Sequence, residues 1–261
     1  MELVVTRVRC GYVTIRKIAF GWPIHQIPCL ECKQMTWNLR DDSAILETSS
    51  TRVVACLRDF SPSISLIDTT GPAEEMKMFV QIRPVDSSLS LPEIGLSLGE
   101  AYVRQGDIIA SYPESAPWTF GYQLDIRSSH EIGRPVGKEN SLLTLEVWLS
   151  VQTSLLNSHP ELNVNLEGDS FSHREDGFWL DSKSRVALLI YPLDLADCKI
   201  ASLAGSSPNR QIQMKVFGRF MEKGVIRRMR FRILVANAPS SREFWQDCWN
   251  EFSESPLPLT T

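Results

Sequence analysis

The chain lacks the features that would assign it to a class at once. No apolar run approaches the roughly 20 residues that a membrane-spanning helix requires; the longest, such as 186–191, are short. Cysteine is sparse, with six in 261 residues, too few for a disulfide-stapled scaffold. Histidine is sparser still. His25, His130, His159 and His173 are scattered, with no H-x-H, H-x-x-x-H or H-E-x-x-H spacing, so neither a metal cluster nor a catalytic triad is legible. Neither sign of charge dominates: 27 Lys and Arg against 31 Asp and Glu leave a net charge of −4. That balance makes nucleic acid an unexpected partner while leaving room for a local basic patch. The opening residues, Met-Glu-Leu-Val-Val-Thr-Arg, carry no apolar signal-peptide core. These absences predict a cytoplasmic protein with free thiols and no membrane partner. What is present is 43% hydrophobic, 22% charged and 9% aromatic, a balance that excludes collagen-like and disordered chains.

Residues 1–34 differ from the rest. They hold three of the six cysteines and set Arg7, Arg9, Arg16, Lys17 and Lys33 against Glu2 and Glu31. Two readings stand: an extension ahead of a domain covering 35–261, or an N-terminal hairpin in which 3–10 and 12–20, rich in β-branched residues, flank Gly11. Cys29-Leu-Glu-Cys32 is a C-x-x-C, and His25 and Cys10 could complete a tetrahedral zinc site. A second knuckle at similar spacing would make that signal specific, and none exists. The expectation is therefore no metal and no cofactor, with these four residues as the weak candidate ligands.

From Met35 onward the dominant pattern has period two, the signature of strands with one face buried. In 118–127, Trp118, Phe120, Tyr122, Leu124 and Ile126 alternate with Thr119, Gln123, Asp125 and Arg127. In 142–152, Leu143, Leu145, Val147, Leu149 and Val151 alternate with Thr144, Glu146, Trp148, Ser150 and Gln152. Further strands are predicted at 52–57, 63–67, 76–82, 101–104, 107–112 and 185–191. The polar, turn-rich stretch 157–177 reads as a long loop or as a joint between two sub-domains. At the end of the chain, 211–220 and 225–235 read as one hairpin closed by Met221-Glu-Lys-Gly224, with Lys215 opposite Arg230. One helix is clear. Ser240 and Glu243 form a capping box, and Phe244, Trp245, Cys248, Trp249 and Phe252 recur at helical spacing. Close-spaced strands with one helix predict an all-β, antiparallel sandwich, with two similar halves as an open alternative, and an amphipathic C-terminal helix lying on a sheet face.

Three surfaces carry candidate chemistry. Gly95-Leu-Ser97-Leu-Gly99 matches the G-x-S-x-G of hydrolases, but no alternating helices surround it to build the nucleophile elbow. On the outward face of the 118–152 hairpin, pairing Arg127 with Leu142 sets Asp125 opposite Thr144, Gln123 opposite Glu146 and Gly121 opposite Trp148. An exposed indole ringed by Gln123, Asp125, Arg127 and Gln152 suits a sugar, whose C–H face stacks while its hydroxyls bond at the rim. Asp125 and Glu146 could also serve as the carboxylate pair of a glycoside hydrolase. The outward face of the last hairpin aligns Lys215, Arg219, Arg228, Arg230 and Arg232, a stripe that needs neutralising by nearby carboxylates such as Asp181, Glu175 or Glu222, or by an anionic partner. The favoured reading is a non-catalytic binding module, with carbohydrate or protein as partner, working through an exposed sheet face. A carbohydrate-active hydrolase and an anion binder are the alternatives.

Overall fold

The computed structural model describes residues 36–58, 61–71, 74–85, 95–132, 141–169, 171–175, 177–181, 183, 185–203 and 209–255, and the strand backbone at 5–9, 12–15 and 27–28. Cys10, His25, Cys29 and Cys32, the weak zinc candidates, lie outside these residues. Near the N-terminus, β1 (Val5–Arg9), β2 (Tyr12–Ile15) and β3 (Ile27–Pro28) form a three-stranded antiparallel sheet.

The alternation seen in the sequence builds two eight-stranded antiparallel sheets. In chain order the strands are β4 (Asn38–Arg40), β5 (Ser43–Glu47), β6 (Thr51–Cys56), β7 (Ser63–Asp68), β8 (Glu75–Pro84), β9 (Glu100–Arg104) and β10 (Asp107–Tyr112). Then come β11 (Gly121–Ile132), β12 (Ser141–Gln152), β13 (Glu161–Asp169), β14 (Ser172–Glu175), β15 (Phe178–Leu180) and β16 (Val186–Ile190). A 3-10 turn, Pro192–Asp197, leads to β17 (Cys198–Leu203), β18 (Asn209–Phe217), β19 (Ile226–Ala236) and helix α1 (Arg242–Glu254). Sheet I runs β4-β5-β6-β7-β8-β13-β18-β17, and sheet II runs β14-β15-β16-β19-β12-β11-β10-β9. Residues such as Leu66, Val80 and Val164 from sheet I join Leu124, Val147 and Phe231 from sheet II in one continuous apolar cluster. The inner faces of the two sheets thus share a core, as an antiparallel sandwich requires.

The sheets differ on their outer sides. β6 and β7 alternate buried and half-buried positions, so the outside of sheet I is wet. β16 is buried at every residue, because α1 covers the outside of sheet II there. Phe244, Trp245, Cys248, Trp249 and Phe252 pack on Ala187, Leu189, Leu234 and Ala236 in a second apolar cluster. The helix stripe read from sequence is thus a lid on a sheet face. Its N-cap is Ser241 rather than Ser240: the Ser241 hydroxyl accepts from the Phe244 amide at 3.2 Å, and Ser240 instead donates to the Ala238 carbonyl.

Three local expectations are corrected. The stretch 157–177 holds β13, which lies between β8 and β18. Its Leu162, Val164 and Leu166 are buried while Asn163, Asn165 and Glu167 face out, an alternation that the asparagines disguised. The β11–β12 register is displaced by four residues, with Asp125 opposite Trp148 rather than Thr144 and Arg127 opposite Glu146 rather than Leu142. The strands extend to Ile132 and Ser141, so the connection starts later. An even displacement changes partners but keeps each side chain on its face. Finally, β18 and β19 are not a hairpin: β18 pairs with β13 and β17, and β19 pairs with β12 and β16. Phe217 and Gly218 take φ of 70° and 68°, turning the chain out of sheet I. Such angles are uncommon for a bulky residue.

Candidate functional site

The outer face of sheet II collects Gln123, Asp125, Arg127, Glu146, Trp148, Gln152, Arg228, Arg230 and Arg232 of the residues singled out from sequence. Backbone pairing arranges them in rows across β9, β10, β11, β12 and β19. The first row is Glu100, Ser111, Gln123, Ser150 and Arg228. The second is Tyr102, Ile109, Asp125, Trp148 and Arg230. In the third, Arg104 pairs with Asp107, Arg127 with Glu146 and Glu146 with Arg232, and Arg127 approaches Asp107 at 3.8 Å. Charge alternates along this third row, the favourable arrangement for cross-strand neighbours.

Around Trp148 the charged side chains of the second and third rows engage one another, with Asp125 Oδ1 and Arg230 Nε left without a hydrogen bond. The Glu146 carboxylate accepts from the Arg232 guanidinium at 2.5 and 3.1 Å and from the Trp148 indole at 2.9 Å. Arg127 donates to Asp125 at 2.9 and 3.2 Å. Arg127 and Arg230 lie over the Trp148 ring at 4.6 and 5.6 Å, and the indole is only 6% exposed. Trp148 is therefore not the open stacking platform expected for a sugar. Asp125 and Glu146 are both held by arginines. Burial, the Asp125 charge beside it and Glu146 push the Asp107 carboxyl up to about 6, against the opposing pull of Arg127 and Arg104.

The arginine stripe is broken up and, apart from Arg228, engaged from within. Lys215 sits on sheet I, 3.5 Å from Glu161. Arg219 lies in the crossover, 2.7 Å from Asp197, and donates to the Ala196 carbonyl. Arg230 is 3% exposed; its guanidinium lies 3.6 Å from the Tyr191 ring centroid and donates to the Ser255 carbonyl. Of the carboxylates proposed from sequence, Asp181 does not serve, and the Glu175 side chain lies outside the described residues. Asp181 accepts from the Arg185 and Val186 amides instead. Asp194, pushed up to about 6 by burial, takes the Arg230 amide at 2.8 Å.

The first row is different. Among the described residues, Glu100, Ser111, Gln123, Ser150 and Arg228 make no side-chain hydrogen bond or ion pair, and neither does Gln152. They line a cleft of about 250 Å³ together with Ile226. The backbone at 112–114 closes one side of it: a Cβ on Gly121 would lie 2.8 Å from the Tyr112 carbonyl and the Glu114 amide, so this approach requires glycine. A second cleft of about 310 Å³ opens between the third row and α1, lined by Arg127, Thr144, Arg232, Cys248 and Glu251.

Other sequence candidates stay apart. Ser97 is exposed in an irregular segment that leads into β9, with no helix following, so the elbow that would activate it is missing. His159 lies against Phe220 and His173 against Trp179. Among the described residues no group of three His, Cys, Asp or Glu is placed to hold a metal ion, and no helix is long and apolar enough to cross a membrane. Sequence reasoning missed Glu100, Ser111, Ser150 and Tyr102; only the strand register brings them beside Gln123 and Arg228. Compared with protein-family models and with curated proteins, the chain matches none.

Proposed function

We propose that this protein is a non-catalytic binding module that receives a hydroxyl-rich ligand, of the carbohydrate class, on the first row of sheet II. The observation that supports this reading is the contrast between rows. The charged groups around Trp148 are buried and mostly engaged with one another, whereas Glu100, Ser111, Gln123, Ser150, Gln152 and Arg228 offer unused donors and acceptors beside a cleft. Amide, hydroxyl, carboxylate and guanidinium together match a ligand that both donates and accepts. Tyr102, partly exposed on the neighbouring row of the same face, supplies an aromatic surface. In this reading Asp125, Arg127, Glu146 and Trp148 support the platform rather than touch the ligand. A cytoplasmic setting fits the Cys198 thiol, which is in no disulfide.

The test is a glycan-array screen of the wild-type chain, followed by titration of the hits against Gln123→Ala and Arg228→Ala. Both substitutions leave stability unchanged and weaken binding by about tenfold or more, the loss expected for one or two hydrogen bonds, at least one of them charge-assisted. An array without hits, or hits indifferent to both substitutions, overturns the reading. Retention of RNA that vanishes at high salt would favour an anionic partner for Arg228 instead.

A further inference from the structure

At one end of the sandwich, where Gln152 and Ile226 pair, the loop after β12 meets the loop before β19. The Gly224 amide donates to the Thr153 carbonyl at 3.3 Å, and Ser158 and Met221 exchange backbone hydrogen bonds at 3.2 and 2.8 Å. The ring of Phe220 lies 5.9 Å from that of His159. Around these ties the chain leaves Leu155, Leu156, Phe220, Val225 and Ile226 exposed, Leu156 at 78%. Isolated apolar residues on a surface need no explanation. Four on two tethered loops and a fifth, Ile226, at the start of β19 make a patch, and patches mark interaction sites.

The exposure is built in. The Glu114 carboxylate accepts from both the amide and the hydroxyl of Ser154, at 2.8 and 2.7 Å. The Thr153 hydroxyl donates to the Thr119 carbonyl at 2.7 Å and accepts from the Leu155 amide at 3.1 Å. Cations flank the patch. Among the described residues Lys223, Arg227 and Arg228 meet no carboxylate, Arg227 donating instead to the Phe220 carbonyl. Glu222 and Glu114 oppose them.

Against the expectation of no membrane partner drawn from the sequence, we propose that these two loops dock the protein on a bilayer surface containing anionic lipid, the apolar side chains entering the headgroup boundary and Lys223, Arg227 and Arg228 meeting lipid phosphates and carboxylates. Size selects the partner. A stable protein interface takes about 800 Å² and some 20–30 residues from each side, more than these five side chains supply. A bilayer sets no such threshold, because attraction accumulates with each buried apolar side chain and each cation near the surface. The proposal goes beyond the ligand reading and does not depend on it. Arg228 and Ile226 border both surfaces, so the test uses residues outside the cleft.

The experiment is co-sedimentation of the full chain with sucrose-loaded vesicles of phosphatidylcholine alone and of phosphatidylcholine with phosphatidylserine. The wild type is expected to pellet with the anionic vesicles, less so as salt is raised. The Leu156→Glu, Phe220→Ser double variant keeps the wild-type melting temperature and loses at least about tenfold in the bound-to-free ratio. Lys223→Glu weakens the anionic arm alone. A wild type that stays in the supernatant with both vesicles overturns the proposal, as does a double variant that pellets like the wild type. A concentration-dependent dimer in sedimentation velocity, abolished by the same double variant, reassigns the patch to a second copy of the chain.

Discussion

The Arg230 guanidinium lies 3.6 Å from the centroid of the Tyr191 ring, and both side chains donate to one acceptor, the Ser255 carbonyl at the C-cap of α1, at 3.1 and 3.3 Å. A cation at a helix C-terminus complements the helix dipole. Here it also couples the helix lid to β19. Phe252, in the last turn of the same helix, lies 5.2 Å from that guanidinium, so the buried charge is enclosed by aromatic faces rather than by water.

Arg230→Ala is expected to destabilise the fold by about 3 kcal/mol, since it empties a buried site and removes the cap on α1. Arg230→Lys should recover little, because an ammonium does not stack flat on Tyr191. Urea unfolding of the two variants checks this. A lysine variant as stable as the wild type would show that charge alone matters.

Glu146 and Arg232 form the tightest pair of the third row, with contacts of 2.5 and 3.1 Å and both side chains mostly buried. A double-mutant cycle of Glu146→Gln and Arg232→Gln should give a coupling of about 1–3 kcal/mol. Glu146→Gln alone keeps an acceptor for the Trp148 indole but leaves Arg232 under-compensated. It should therefore cost more than the double variant. Additive effects would mean the ladder contributes no net coupling.

Stability should fall as pH rises from about 4 to about 6 through Asp107 and Asp194. Burial first, then neighbouring carboxylates, raise both to about 6. The unfolded chain releases these protons near pH 4 while the folded chain holds them, so folding loses up to about 1 kcal/mol per group across that interval once solvent screening is allowed for. Asp68 acts in the opposite sense. Burial pushes it up, but hydrogen bonds from Thr70 and the charges of Arg185 and Lys77 outweigh this and bring it to about 2; its contribution is present above pH 4 and is lost as pH falls towards 2. Urea midpoints measured across this range should decline between pH 4 and 6 in the wild type and stay level in an Asp107→Asn, Asp194→Asn double variant. An unchanged slope in that variant would contradict the assignment.

Much of the architecture was legible in the sequence because burial on one face of a strand leaves a period of two. The sets Tyr122, Leu124, Ile126 and Leu143, Leu145, Val147 all lie in the shared core, and the five-residue helix stripe is buried as a unit. Burial on both faces leaves a continuous apolar run in β16, although sequence does not say that this strand is covered twice or that the second cover is α1. What alternation does not encode is which strand lies next to which. A register displaced by four residues and an assumed β18–β19 hairpin both satisfy the same pattern, because each keeps apolar side chains facing inward. Only the tertiary structure placed Glu146 between Arg127 and Arg232, buried the indole of Trp148, and sent β18 and β19 into different sheets through the turn at Phe217 and Gly218. It also tied the loop that holds Leu155 and Leu156 to the loop that holds Phe220 and Val225, more than sixty positions away along the chain. Which face a side chain occupies is a local property of the backbone, whereas its neighbours depend on how distant segments pack, and binding surfaces are made of neighbours.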